Sequence, residues 1–145
     1  MKGAKPQLNN VVPMAGDAKR PVPDAPDWMS SGGREVWDEL AATLISKDRL
    51  QPHHTQMFAA YCEAVSDFIE QTGNLAMTGQ FYEVETRNGN QEKKRASWGL
   101  RQDALANMRQ LSALFGFSPV DEARLSTGGQ GDLFKQVMDH LNGPD

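Results

Sequence analysis

The segment Ser97–Leu125, SWGLRQDALANMRQLSALFGFSPVDEARL, leaves the chain few folds to choose from. Trp98, Arg101, Ala104, Leu105, Met108, Leu111, Leu114 and Phe115 recur at steps of three and four. That spacing predicts one long amphipathic helix with Arg101 at the edge of its apolar face. Arg101, Gln102, Arg109 and Gln110 are left to the remaining surface. Gly116 follows the last apolar pair, where a left-handed C-terminal cap is favoured. Ser118, Pro119 and Asp121 then supply an N-cap, a first-turn proline and an approximate capping box for a second, short helix. The apolar stripe is too broad for a helix standing alone in water. It must pack inside a helical core or against copies of itself.

Two more helical patterns precede it. The first begins near Ser30 or Ser31, with Val36, Trp37, Leu40, Ala41, Leu44 and Ile45 as its apolar stripe and Arg34, Glu35, Asp38 and Glu39 as its wet side. Trp28 and Met29 can staple its entry. Pro52 suits the first turn of the next helix, in which Met57, Phe58, Tyr61, Cys62, Val65, Phe68 and Ile69 repeat at helical spacing. Gly73 and Asn74 predict its end near Gln71–Asn74. Two amphipathic helices joined by a short turn make a helical hairpin.

Between Leu75 and Ala96 the period changes. Phe81, Tyr82, Val84 and Thr86 favour strand, and Asn88-Gly89 is a hairpin turn signal. The return strand, Gln91–Arg95, is polar, so the hairpin is expected to be exposed, partly disordered, or paired only within an oligomer. The expected fold is therefore mainly α: a helical hairpin, a long central helix, and a small β-hairpin or loop over 76–96.

The ends differ from this core. Residues 1–27 carry Pro6, Pro13, Pro21, Pro23 and Pro26 and few large side chains, which predicts a flexible extended arm. Its Lys2, Lys5, Lys19 and Arg20 either keep a tail soluble or meet phosphate, since such arms gain affinity by counterion release. The core spans 28–125. Residues 126–145 hold a glycine-rich linker and a last amphipathic helix, from about Asp132 to Leu141, with Leu133, Phe134, Val137, Met138 and Leu141 on one face. A helix so short needs a docking surface, either within the chain or on a partner.

A chain of 145 residues allows one domain plus tails. No run approaches the roughly 18–20 apolar residues of a membrane span, and the N-terminus has no apolar core of a signal peptide. A single cysteine, Cys62, excludes a disulfide framework within one chain and suits a reducing compartment. The formal net charge of −4 disfavours a generic nucleic-acid coat, but its distribution matters more. Lys93, Lys94 and Arg95, with Arg101 and Arg109, form a basic cluster opposed in the sequence only by Glu92 and Asp103. The cluster is either a solvated charge run or a phosphate-contacting belt, repeated round a ring of subunits.

Catalytic patterns fail on spacing. Cys62 lies eight residues past His54, about 12 Å along a helix axis, so His53, His54 and Cys62 cannot share a zinc ion. Gly128-Gly129-Gln130-Gly131 lacks the lysine and preceding strand of a phosphate loop and reads as a hinge. Glu35, Asp38 and Glu39 sit on a wet face. Neither metal nor cofactor is expected.

The order of these features resembles the small terminase subunits of tailed bacteriophages. The likeness rests on the arm opening Lys2-Gly3-Ala4-Lys5-Pro6, on PDWMSSGGREVWDEL with Trp28 and Trp37, on LQPHHTQMFAAYCEA with Tyr61-Cys62, and on the polar Asn88-Gly89-Asn90. Its strongest part is the closing Phe115-Gly116-Phe117-Ser118-Pro119 with Ala123-Arg124-Leu125. The resemblance implies a non-enzymatic protomer that closes into a homo-oligomeric ring in the host cytoplasm. It also implies binding to double-stranded viral DNA and presentation of that DNA to a large subunit carrying the ATPase and nuclease. Lys93, Lys94, Arg95 and Arg101, assisted by Lys2, Lys5, Lys19 and Arg20, are the expected DNA contacts. Leu133, Phe134, Val137, Met138 and Leu141 are the expected large-subunit contacts. The rival reading is a dimeric helix-turn-helix regulator built on residues 37–69; the lack of lysine or arginine from Gln51 to Asn74 counts against it. A small enzyme or nuclease is the third.

Overall fold

Ser30 starts the first helix as a side-chain cap. Its hydroxyl accepts the Gly33 N–H at 3.0 Å and α1 runs Ser31–Ser46. In the computed structural model, which describes residues 20–126, α1 is followed by α2 (Thr55–Thr78), β1 (Phe81–Thr86), β2 (Gly89–Lys94), α3 (Ala96–Phe115) and α4 (Pro119–Ser126). The chain is mainly helical with one small hairpin, as the periodicities predict. Residues 1–19 and 127–145 lie outside the described part, and with them Lys2, Lys5, Lys19, the glycine-rich linker and the 133–141 stripe.

The centre of packing is α2, which receives both α1 and α3. Its Phe58 is 0% exposed and sits among three other rings. The ring centroids lie 4.8 Å from Trp37 of α1, 5.5 Å from Phe115 of α3 and 6.4 Å from Tyr61. Tyr61 stacks in turn on Phe117 at 4.8 Å. Aromatic pairs at such separations add about 0.5–1.5 kcal/mol each beyond area burial. Ala41, Leu44, Leu50, Ala59 and Cys62 fill the space around them. Burial pushes the Cys62 thiol up to about 12, so this cysteine is an inert core residue.

Polar contacts stitch the outside of this knot. The Ser30 N–H and hydroxyl both donate to Glu63 Oε1 of α2, at 2.9 and 3.1 Å. Gly33 lies under the same carboxylate, where a Cβ would collide with Glu63 Oε1. Residues 20–29 lie against the helices. Trp37 Nε1 donates to the Pro23 carbonyl at 3.2 Å, and the Arg34 guanidinium donates to the carbonyls of Pro26, Asp27 and Met29. Met29 is buried, whereas Trp28 is exposed and donates to Gln56.

The end of α3 follows the capping rules. Gly116 takes φ +70° and closes the helix with its N–H on the Ser112 carbonyl. Ser118 caps α4 by accepting the Asp121 N–H at 3.1 Å. None of α4 is buried, so ionic contacts hold it. Glu122 accepts from Lys47 Nζ at 2.6 Å and from Arg49 Nη1 at 3.5 Å. Arg49 also donates to the last carbonyls of α3, those of Phe115 and Gly116. Lys47 and then Arg49 hold the Glu122 carboxyl below its ordinary range.

Three local expectations need correction. The second helix begins not at Pro52 but after a 3-10 turn, Pro52–His54. It also runs past Gly73 and Asn74 to Thr78, and Gly79, at φ +75°, is the residue that ends it. A glycine inside a helix costs only about 1 kcal/mol, and the burial of Leu75 one turn from the end offsets it. At the hairpin tip the turn residues are Arg87 and Asn88 rather than Asn88-Gly89. The positive φ falls on Gly89, at +106°, which opens β2.

α2 and α3 run antiparallel. Phe58 meets Phe115 at one end, and the Arg95 N–H donates to the Gln80 carbonyl at 2.9 Å at the other. Beyond the aromatic base the pair thins to a stalk. From Val65 to Thr78 only Leu75 is buried, and in α3 before Phe115 only Ala104 is buried. The broad apolar stripe of α3 is therefore incompletely covered, with Leu114 54% exposed.

Phe58→Ala removes the ring shared by three helices. The unfolding free energy in urea should fall by about 3–5 kcal/mol. A loss below about 1 kcal/mol would mean that the aromatic knot does not hold the helices together.

Candidate nucleic-acid interface

The hairpin extends the stalk and sorts its side chains by register. Phe81 pairs with Lys94, Tyr82 with Lys93, Glu83 with Glu92, Val84 with Gln91, Glu85 with Asn90 and Thr86 with Gly89. Paired residues share a face of the ladder and neighbours alternate. One face thus carries Phe81, Glu83, Glu85, Glu92 and Lys94. The other carries Tyr82, Val84, Gln91 and Lys93. Arg95 continues the second face, since its guanidinium lies 5.6 Å from the Tyr82 ring centroid.

This sorting splits the basic run. Lys93 and Arg95 lie together on a face without a carboxylate. Lys94 lies on the acidic face, and its Nζ stands 4.2 Å over the Trp98 ring. A cation over indole is held by the ring quadrupole. The acids near the run are therefore Glu83, Glu85 and Glu92, two of which come from the other strand. Glu83 sits directly opposite Glu92, a like-charge pair that weakens the isolated hairpin.

Below the Lys93–Arg95 face is an open cleft of about 320 Å³ lined by Asn74, Thr78, Tyr82, Arg95, Ala96 and Ser97. It lies at the N-terminus of α3, where Arg95 makes no side-chain cap and the first turn holds no acid. Such a terminus is electropositive. Arg95 Nε is buried without a hydrogen-bond partner among the described residues. Arg101 is half-buried about one and a half turns into α3, on the same limb as the basic strand.

The remaining expected contacts lie elsewhere. Arg20 sits at the base, where it pairs with Asp48 and donates to Gln51 Oε1 at 2.6 Å. The structure therefore separates Arg20 from the hairpin, while Lys2, Lys5 and Lys19 belong to the undescribed arm. His54 Nδ1 accepts the Gln51 N–H at 3.2 Å and serves as a turn partner. Among the described residues no three histidine, cysteine or acidic side chains are grouped to hold a metal ion. No described helix is long and apolar enough to cross a membrane. Tyr82 is the residue that the charge pattern missed: its strand propensity was legible, but its place beneath Arg95 follows only from register.

The family model described as "Phage terminase, small subunit" matches residues 33–132. The chain belongs to that family. The match starts in the first turn of α1, takes in the hairpin and all of α3 and α4, and leaves the proline-rich arm outside. No significant match to a curated protein or to a solved structure was found. In this terminase small subunit, then, the hairpin is part of the family's shared span, and its Tyr82–Lys93–Arg95 face sets two cations together without a carboxylate.

Proposed function

We propose that this terminase small subunit is the DNA-recognition component of a phage packaging motor, with no catalytic step of its own. It assembles into a closed homo-oligomeric ring, binds double-stranded viral DNA and hands it to the large subunit, the ATPase and nuclease, in the host cytoplasm. The observation that carries the DNA reading is the acid-free hairpin face with Lys93 and Arg95 over Tyr82. Phosphate oxygens meet such cations without base readout, and a tyrosine can face sugar or base. Arg101 continues the basic limb into α3, Lys94 projects from the opposite face of the same strand, and the arm residues Lys2, Lys5 and Lys19 add counterion release.

The ring reading is supported by what the stalk leaves uncovered. Ile69, Met77, Phe81 and Leu100 are 61%, 88%, 45% and 54% exposed. Neighbouring protomers supply the cover a lone protomer lacks. In the same reading Leu133, Phe134, Val137, Met138 and Leu141 present an apolar stripe to a groove on the large subunit.

Replacing Lys93, Lys94 and Arg95 together by alanine should weaken duplex binding and reduce the slope of log K against log salt by about 0.9 for each phosphate no longer neutralised. An unchanged slope removes these residues from the interface. Deleting residues 127–145 should leave the mass of the assembly, counted in protomers, intact and lower the stimulation of large-subunit ATP hydrolysis. Loss of the assembly would instead make this stretch part of the ring.

A further inference from the structure

The stalk is built from two limbs of opposite charge. The outgoing limb, α2 and β1, carries Glu63, Asp67, Glu70, Glu83 and Glu85 and no lysine or arginine. The returning limb, from β2 through α3, carries Lys93, Lys94, Arg95, Arg101 and Arg109 against Glu92 and Asp103. Chain reversal at the hairpin sets these limbs side by side, so each protomer has an acidic side and a basic side. Among the described residues no ion pair joins one limb to the other: the four formed involve Arg20–Asp48, Lys47–Glu122, Arg49–Glu122 and Arg124–Asp121. Glu63 is taken up by Ser30 and Lys94 by the Trp98 ring, whereas Asp67, Glu70, Arg101 and Arg109 form no ion pair among the described residues.

The two sides also match in height. Phe58 meets Phe115 at the base and Gln80 meets Arg95 at the top. Counting inward from both ends places Asp67 and Glu70 level with the part of α3 between Arg101 and Arg109. Asp67, Glu70 and Arg109 are exposed and Arg101 is half-buried. Bare apolar side chains accompany the charges on both limbs: Ile69 and Met77 on α2, and Leu100 on α3.

We infer that the α2–β1 limb of one copy docks on the β2–α3 limb of a second copy, with Asp67 and Glu70 set against Arg101 and Arg109 and the Lys93–Arg95 face of the hairpin left to DNA. The inference rests on the ring reading above and names the surface by which the ring closes. Acidic-to-basic contact between two different sides is heterologous and propagates in one rotational sense, as closure into a ring requires. It also discourages the face-to-face dimer, which would oppose like charges. Glu83, which is set against Glu92 within the hairpin, gains cations from the neighbour's returning limb.

Sedimentation velocity on the full-length chain tests this. The forms compared are the wild type, Asp67→Lys with Glu70→Lys, Arg101→Glu with Arg109→Glu, all four changes in one chain, and an equimolar mixture of the two double variants. The wild type should assemble. Each double variant alone should lose assembly at least tenfold and run as single chains of 16.0 kDa while keeping its helix content by circular dichroism. The fourfold variant and the mixture should both recover, because each restores acid against base at the contacts between unlike sides. Recovery also excludes misfolding as the cause of loss. Double variants that keep the wild-type mass overturn the inference, as does loss without recovery in either combination. A wild type that itself runs as single chains overturns the ring reading, and this inference with it.

Discussion

Phe58 at the crossing of three helices is the contact on which the rest of the structure depends. It brings Trp37, Tyr61 and Phe115 within ring contact, and Tyr61 passes the contact on to Phe117 beyond the α3 cap. Every helix but α4 is anchored through this set. Because the anchor is at one end, α2 and α3 leave it as a pair with little else to bury. A chain of this size has one such core in which to place its aromatic residues, and the stalk is made from what remains.

That asymmetry sets the chemistry of each end. At the base, charges are consumed locally: Arg49 serves the α3 carbonyls and Glu122, Glu63 serves Ser30, Arg34 serves the turn before α1, and Arg20 serves Asp48. Up the stalk no ion pair forms among the described residues, and the apolar side chains are half-bare. Unspent charge and uncovered apolar area favour contact with other molecules, and the hairpin presents them farthest from the core. The same register that puts Lys93 beside Arg95 puts Glu83 against Glu92. One face therefore suits phosphate and the other suits protein.

Much of this was legible in the sequence because it is written in local chemistry. Ser30, Gly116 and Ser118 mark helix ends by rules that need only neighbouring residues, and the 3.6-residue period located α1, α2 and α3. The end of α2 was not, because Gly73 and Asn74 are good terminators locally, and only the burial of Leu75 shows that the helix continues. The hairpin tip slipped by one residue because glycine can take positive φ either inside the turn or just after it. The candidate site was half legible. Lys93, Lys94 and Arg95 announce themselves as a charge run, but strand alternation sends Lys94 to the opposite face, onto Trp98. The arrival of Glu83 and Glu85 beside that lysine depends on cross-strand register, which no linear reading of charge contains. Arg20 looks like an arm cation in the sequence; its partner Asp48 lies far along the chain, in the turn after α1.

In the proposed ring the base folds by itself and neighbours complete the stalk. Amide hydrogen exchange on the intact chain, followed from concentrated to highly dilute protein, tests that division most directly. Slow exchange is expected at Phe58, Ala59 and Cys62 at every concentration. Protection over 66–78 and 97–104 should be high in concentrated samples and fall steeply on dilution, while the helices still form. Equal, concentration-independent protection along all of α2 and α3 would contradict it.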